Sequence, residues 1–193
     1  TRMRVDHAMR QALAQSRFRL NYQPQVELAS GRVVGAEALL RWHDPEMGEM
    51  LPADFIPVAE ESGFIVAIGE WVLVEAVRQA ARWRSRGLRL VVAVNVSALQ
   101  FHRPDFVDSV SRALRESELP PQWLELELTE SILIQDAQEA MTRLDALARL
   151  GVRLSIDDFG TGYSSLPYLK RVPIGQLKID RSFIGGLPGD DSD

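Results

Sequence analysis

No cysteine occurs among the 193 residues, so disulfides and thiolate metal centres are excluded. That absence agrees with a cytoplasmic compartment. Histidine is almost as scarce. His7, His43 and His102 are the three present, and none adjoins a carboxylate at the end of a predicted strand. Any metal site is therefore oxygen-rich, a donor set that suits Mg²⁺ or Mn²⁺ better than zinc. No apolar run reaches the length of a bilayer span. Thr1 to Arg10 is polar and charged and carries no signal-peptide pattern. A basic excess is also missing: 22 Lys and Arg stand against 27 Asp and Glu, for a net charge of -5. That argues against a DNA or RNA polymer as partner, but not against a small phosphate ligand held by a few cations. Internal repeats and low-complexity tracts are lacking as well.

What is present reads as a globular α/β chain, long enough for one sizeable domain or a large part of a bigger one. Arg4 to Ser16 has the period of a helix. Phe18 to Leu28 reads as a strand interrupted by Pro24, and Arg32 to Trp42 as a second strand after the turn Ala29-Ser30-Gly31. Two strands so closely joined are antiparallel. A helix runs from about Leu51 to Ser62, with Asp54 in its cap region. A longer one runs from Val66 to Arg86 and stops at Gly87. Strands over Leu88–Ser97, Trp123–Thr129, Val152–Asp158 and Gln176–Asp180 then alternate with helices over Pro104–Ser117, Asp136–Leu150 and Ser164–Lys170. Such alternation implies βαβ units and a parallel sheet. Six strands are expected in all.

These strands share one pattern. Val92, Val94 and Val96 lie opposite Asn95 and Ser97; Leu124, Leu126 and Leu128 lie opposite Glu125, Glu127 and Thr129. Leu154 and Ile156 oppose Ser155 and Asp157, and Leu177 and Ile179 oppose Lys178 and Asp180. On the second strand Glu37, Leu39 and Arg41 oppose Ala36, Ala38 and Leu40. One face can pack beneath helices, while the other collects polar groups near strand C-termini, where barrels of this class place their chemistry.

Asp157 and Asp158 end a buried strand side by side, followed by Gly-Thr-Gly. By themselves they read equally as a solvated turn or as ligands of a divalent cation that offsets their repulsion. Glu37, Asn95, Glu127 and Asp157 offer four oxygen ligands from four strands. Asp158 can reach a second ion, with Asp157 bridging, and paired metals suit in-line phosphoryl chemistry. Lys178 can help activate a water or balance developing charge. Arg41 can hold a phosphate by bidentate contact.

The segments YQPQV (22–26), AEALLRW (36–42), PADFIPVAEESG (52–63), NVS (95–97), ELTES (127–131), DDFGTGYSSL (157–166) and LKIDRSFI (177–184) occur in order over nearly the whole chain. Together they resemble the EAL domains, the bacterial cyclic di-GMP phosphodiesterases. The resemblance implies a TIM-like (β/α) barrel whose first strand runs antiparallel to the rest. It implies Glu37, Asn95, Glu127 and Asp157 as ligands of one Mg²⁺ or Mn²⁺, and Asp157 with Asp158 as ligands of a second. Lys178 matches a lysine beside the nucleophilic water, and Gln23 and Arg41 match substrate-contacting positions. Glu130 matches a glutamate that steadies the loop Phe159 to Ser165. That loop and the helix behind it imply a homodimer contact. The implied reaction is hydrolysis of cyclic di-GMP to linear pGpG.

The resemblance also implies two further strands, carrying another metal-site glutamate and a substrate-facing glutamine, for which residues 1–193 hold no counterpart. The Gly- and Pro-rich ending at 185–193 is expected to be an unfinished connection, so that the barrel is truncated after its sixth strand. Thr1 to Val5 is expected to be the remnant of a linker from an upstream sensory or diguanylate cyclase module. Through such other domains a parent protein could be membrane-anchored. A non-catalytic cyclic di-GMP receptor or scaffold is the alternative function. Degenerate receptors tend to lose the ligand set, and here every matching position holds the competent residue type.

Overall fold

The computed structural model describes residues 1–159 and 176–179, with side chains through residue 156. Helix α1 (Arg2–Ala14) leads into the antiparallel pair β1 (Phe18–Val26) and β2 (Val33–Asp44), which short β3 (Gly48–Met50) extends on the far side. Arg2 to Val5, expected as linker, form the first turn of α1. Helices α2 (Pro52–Ser62) and α3 (Ile65–Ser85) follow. Then come β4 (Val91–Asn95), α4 (Ala98–Phe101), α5 (Phe106–Ser117), β5 (Leu124–Thr129), α6 (Ile132–Gln135), α7 (Ala137–Leu150), β6 (Arg153–Phe159) and β7 (Gln176–Ile179). The sheet order is β1-β2-β4-β5-β6-β7, parallel from β2 onward and antiparallel at β1. This is the α/β, TIM-like barrel architecture, with the reversed first strand that the tight turn predicts.

Six of the seven described strands coincide with expectation. The addition is β3, three residues too short to carry a period of its own. Pro24 does not interrupt β1. It sits in register with Ala36 on the terminal strand of the described order, where a missing N–H is tolerated. Asp54 lies in the first turn of α2, but Leu51 is the cap residue and no side chain caps the helix. Gly151 stops α7 with φ of 100°, a left-handed conformation that favours glycine. The expected helix Ser164–Lys170 and the ending at 185–193 lie outside the described residues.

The apolar face forms rows across the sheet. Ala38, Val94, Leu126 and Leu154 are successive register partners, as are Ala36, Val92 and Leu124. All seven are buried, and α3, α5 and α7 cover them with Leu73, Val77, Val110, Leu144 and Leu147. At one end Trp42 packs edge-on against Phe55, with ring centroids 5.3 Å apart, and against Phe18 at 5.6 Å. This continuous apolar layer is the principal source of stability, at about 25 cal/mol per Å² removed from water. It also fixes register, because a one-residue slip would turn every leucine of β5 to the other face.

Candidate functional site

Register on the opposite face places the polar residues in ascending rows. Glu37, Ala93, Glu125 and Arg153 form one row across β2, β4, β5 and β6. Asn95, Glu127, Ser155 and Gln176 form the next, and Thr129 with Asp157 the one above. The four ligand positions read from sequence thus climb the sheet over three rows, Glu37 lowest, Asn95 and Glu127 together in the next, and Asp157 above them. The staircase follows from the stagger that tilted barrel strands impose.

Glu37 and Asn95 meet directly: the Asn95 Nδ2 donates to Glu37 Oε1 at 3.3 Å. That donation leaves the acceptor end of the carboxamide, its carbonyl oxygen, for chemistry. Glu127, in register with Asn95, is only 2% exposed. A carboxylate so deeply buried demands compensation by partner groups or a cation. Gln23 on β1 is the cross-strand partner of Glu37. Arg41, two rows further along β2, is half-buried and donates to the Leu40 carbonyl at 2.9 Å. Its cross-strand neighbour is Arg19, which pairs with Glu49 at 3.2 Å. Glu130 is buried just after β5, beside a hydroxyl pair formed by Thr129 and Ser131 at 2.6 Å.

A cavity of about 750 Å³ opens beside Arg41, Asn95, Glu127 and Glu130. Arg41, Asn95, Glu127, Thr129 and Glu130 supply polar lining, and Ile56, Leu99 and Ile134 supply apolar lining. The structure therefore gathers Glu37, Asn95, Glu127, Gln23, Arg41 and Glu130 around one edge of the sheet. Asp157, Asp158 and Lys178 are placed by backbone only. Ile156 pairs with Leu177 and Phe159 with Ile179, so three steps of β6 match two of β7. The extra residue is a bulge at Asp157-Asp158, and Lys178 lies opposite it. Bulges break the strict alternation of faces and recur beside active sites. The side chains of these three residues, and the loop Gly160 to Ser165, lie outside the described residues.

Among the described residues no three His, Asp or Glu side chains come together as a metal cage. The described contribution is two carboxylates and one carboxamide, all oxygen donors, and these fit Mg²⁺ or Mn²⁺. A group that sequence reasoning missed is Gln100, 4% exposed at the cavity wall against Gly69. A glycine inside an amphipathic helix, at a cost of about 1 kcal/mol relative to alanine, was the available signal. Among the described residues no helix is long and apolar enough to cross a membrane.

A family model described as EAL domain matches residues 6–193. The chain is 50% identical over 188 residues to the bifunctional diguanylate cyclase/cyclic di-GMP phosphodiesterase MucR of Pseudomonas aeruginosa, across 97% of this chain and 27% of that protein. It is 45% identical over 186 residues to the signaling protein YkoW of Bacillus subtilis, across 96% and 23%. The chain thus spans about a quarter of the length of these curated relatives. Among solved structures, it is similar to PaMucR phosphodiesterase in its c-di-GMP complex. The TM-score is 0.88 at 50% identity, over 94% of this chain and 74% of that one.

Proposed function

The chain belongs to the EAL domain family, and from that membership we propose that it hydrolyses one phosphodiester of cyclic di-GMP, giving linear pGpG. The observation that carries the reading is the Asn95–Glu37 contact at 3.3 Å, with buried Glu127 in register beside Asn95 at the foot of the cavity. An Asn and two Glu in this arrangement have no evident role in packing. They suit a hard cation that a phosphate ester can share.

Glu37, Asn95, Glu127 and Asp157 would hold one Mg²⁺ or Mn²⁺, and Asp157 with Asp158 a second. Such a pair supplies, when bound, a water of lowered pKa and charge neutralisation on the phosphoryl oxygens. The chain's own residues do the rest. The bulge at Asp157-Asp158 interrupts the regular pairing of β6 with β7 at the proposed ligands. Lys178, opposite the bulge, takes or balances the proton of the attacking water. That water adds to phosphorus as the ribose oxygen departs and is protonated. Arg41 binds a phosphate oxygen, and a guanidinium already donating to a backbone carbonyl is held in place for it. Gln23 contacts the nucleotide from across the hairpin, next to Glu37. Glu130 steadies the loop after β6. The proposed assembly is a homodimer, the proposed compartment the cytoplasm, and the proposed companion an upstream sensory or cyclase module.

The test is incubation with cyclic di-GMP and Mg²⁺ or Mn²⁺, followed by chromatography for pGpG. Metal-dependent pGpG is the expected result. Tight nucleotide binding with no turnover would overturn the enzyme reading in favour of a receptor.

A further inference from the structure

Gly69 lies in the second turn of α3, and Gln100 lies in α4, three residues past Ser97. A Cβ built on Gly69 would stand 2.6 Å from Gln100 Cδ and 2.8 Å from its Nε2, closer than real Cβ contacts allow. The Gln100 carboxamide therefore sits in a seat that only glycine leaves open. It is 4% exposed there, at the wall of the cavity.

The seat matters because of what Gln100 is attached to. Its backbone amide donates to Ser97 Oγ at 3.2 Å, and the Phe101 amide to the Ser97 carbonyl at 2.9 Å. Arg143 of α7 fastens the end of α4 through the Phe101 carbonyl at 2.6 Å. On the other side of Ser97, the Val96 amide donates to the Glu127 carbonyl at 2.9 Å. Asn95 itself is exposed, and its side chain makes a long bond to Glu37. The segment 95–101 is thus pinned at the sheet and at α4, and the α4 anchor includes Gln100 in its glycine seat.

We propose that Gln100, seated on Gly69, is a positioning residue for Asn95, holding the β4–α4 connection so that the Asn95 carboxamide stays beside Glu37 and ready for a divalent cation. The proposal rests on the metal-ligand reading of Asn95 above. It adds a requirement located on α3, a helix that contributes no ligand.

Gly69→Ala tests it cleanly. Alanine favours the helix, and the atoms it meets are the far end of a flexible side chain, so the fold survives while the carboxamide is expelled. Mn²⁺ affinity, measured by the paramagnetic resonance signal of the free ion, is expected to fall about tenfold with the unfolding midpoint unchanged or raised. Gln100→Ala is expected to do the same. The double variant Gly69→Ala/Gln100→Ala is expected to be no worse than either single one, since both remove the same seat. Should Gly69→Ala fail to fold, Gln100→Ala carries the measurement alone. Wild-type Mn²⁺ affinity in a folded variant lacking the seat, or additive losses in the double, would overturn the proposal. Asn95→Ala separates the two layers. If it weakens Mn²⁺ and the seat variants do not, the positioning role fails and the ligand assignment stands. If Asn95→Ala leaves Mn²⁺ affinity intact, both fail.

Discussion

Asn95, the last residue of β4, and Glu37, near the middle of the adjacent parallel strand β2, reach one another at 3.3 Å, the exposed carboxamide donating to the half-buried carboxylate. A neutral donor and an anion in contact are stable without metal. In the proposed metal-bound state the carboxamide would turn its oxygen toward the cation, so the pair would serve both states. Glu37→Gln removes the charge while preserving shape. Turnover is expected to fall on the order of a hundredfold or more, with Mn²⁺ affinity falling in parallel. Thermal unfolding should move little, because an exposed charge–amide contact contributes about 1 kcal/mol or less. A variant retaining metal affinity would remove Glu37 from the ligand set.

Acid sensitivity has a separate origin in Asp44. Burial disfavours its charged form, but the Met47 and Glu46 amides, both 2.9 Å from Oδ2, outweigh that, helped by Arg17 and Arg4. The net effect holds the Asp44 pKa below the ordinary Asp value of 3.8. The stabilisation is therefore full above about 3.8 and is lost as pH falls through the lower folded-state value. Asp44→Ala is expected to cost about 2 kcal/mol near neutrality. Urea midpoints of wild type and variant should converge as the pH falls below the ordinary Asp value and through the lower folded-state one. A gap that persisted unchanged in acid would mean that the amide bonds do not depend on the charge.

Trp42 carries a further stability prediction. Its ring is fully buried between Phe18 and Phe55, yet its Nε1 has no hydrogen-bond partner among the described residues. Trp42→Ala opens a large cavity and is expected to cost about 3–5 kcal/mol. Trp42→Phe loses some volume but also removes a buried, unmatched donor. It is expected to cost less than about 1.5 kcal/mol, read from chemical unfolding. A loss as large as that for alanine would show that the indole N–H is matched after all, for instance by a buried water.

The two faces of the sheet were legible because they obey period two: Leu124, Leu126 and Leu128 against Glu125 and Glu127 can be sorted without coordinates. So were the reversed first strand, from its three-residue turn, and the stop at Gly151. Glu37, Asn95 and Glu127 could be grouped by lying on the polar face of successive strands, but their ascending rows could not. Stagger is a property of paired strands, and no single strand encodes it. The bulge at Asp157-Asp158 was hidden for the same reason, since it appears only when β6 is counted against β7. β3 was missed because Gly48–Met50 is formed by pairing with β2 rather than by local preference. Gln100 was missed because a polar residue in a four-residue helix ordinarily faces water. Its partner, a glycine 31 positions earlier in another helix, is brought to it by tertiary packing.

Lys178 offers the sharpest separation of chemistry from binding. Its backbone lies across from the bulge, between the partners of Ile156 and Phe159. Under the proposed function Lys178 would belong to neither the oxygen-donor set nor the phosphate contact of Arg41, and its role would concern the proton and charge of the attacking water. Lys178→Met keeps the length and apolar stem of the side chain while removing the ammonium. It is expected to lower kcat by about 10²- to 10⁴-fold, the range for a lost acid–base or charge-balancing group. KM for cyclic di-GMP and the affinity for Mn²⁺ should stay within about threefold of wild type, because neither depends on that group. Steady-state kinetics at saturating metal, together with Mn²⁺ titration, make the comparison. If KM rose instead while kcat held, Lys178 would be a substrate ligand. The water would then need its proton acceptor among the carboxylates, with the Asp157-Asp158 bulge the nearest candidate along the backbone.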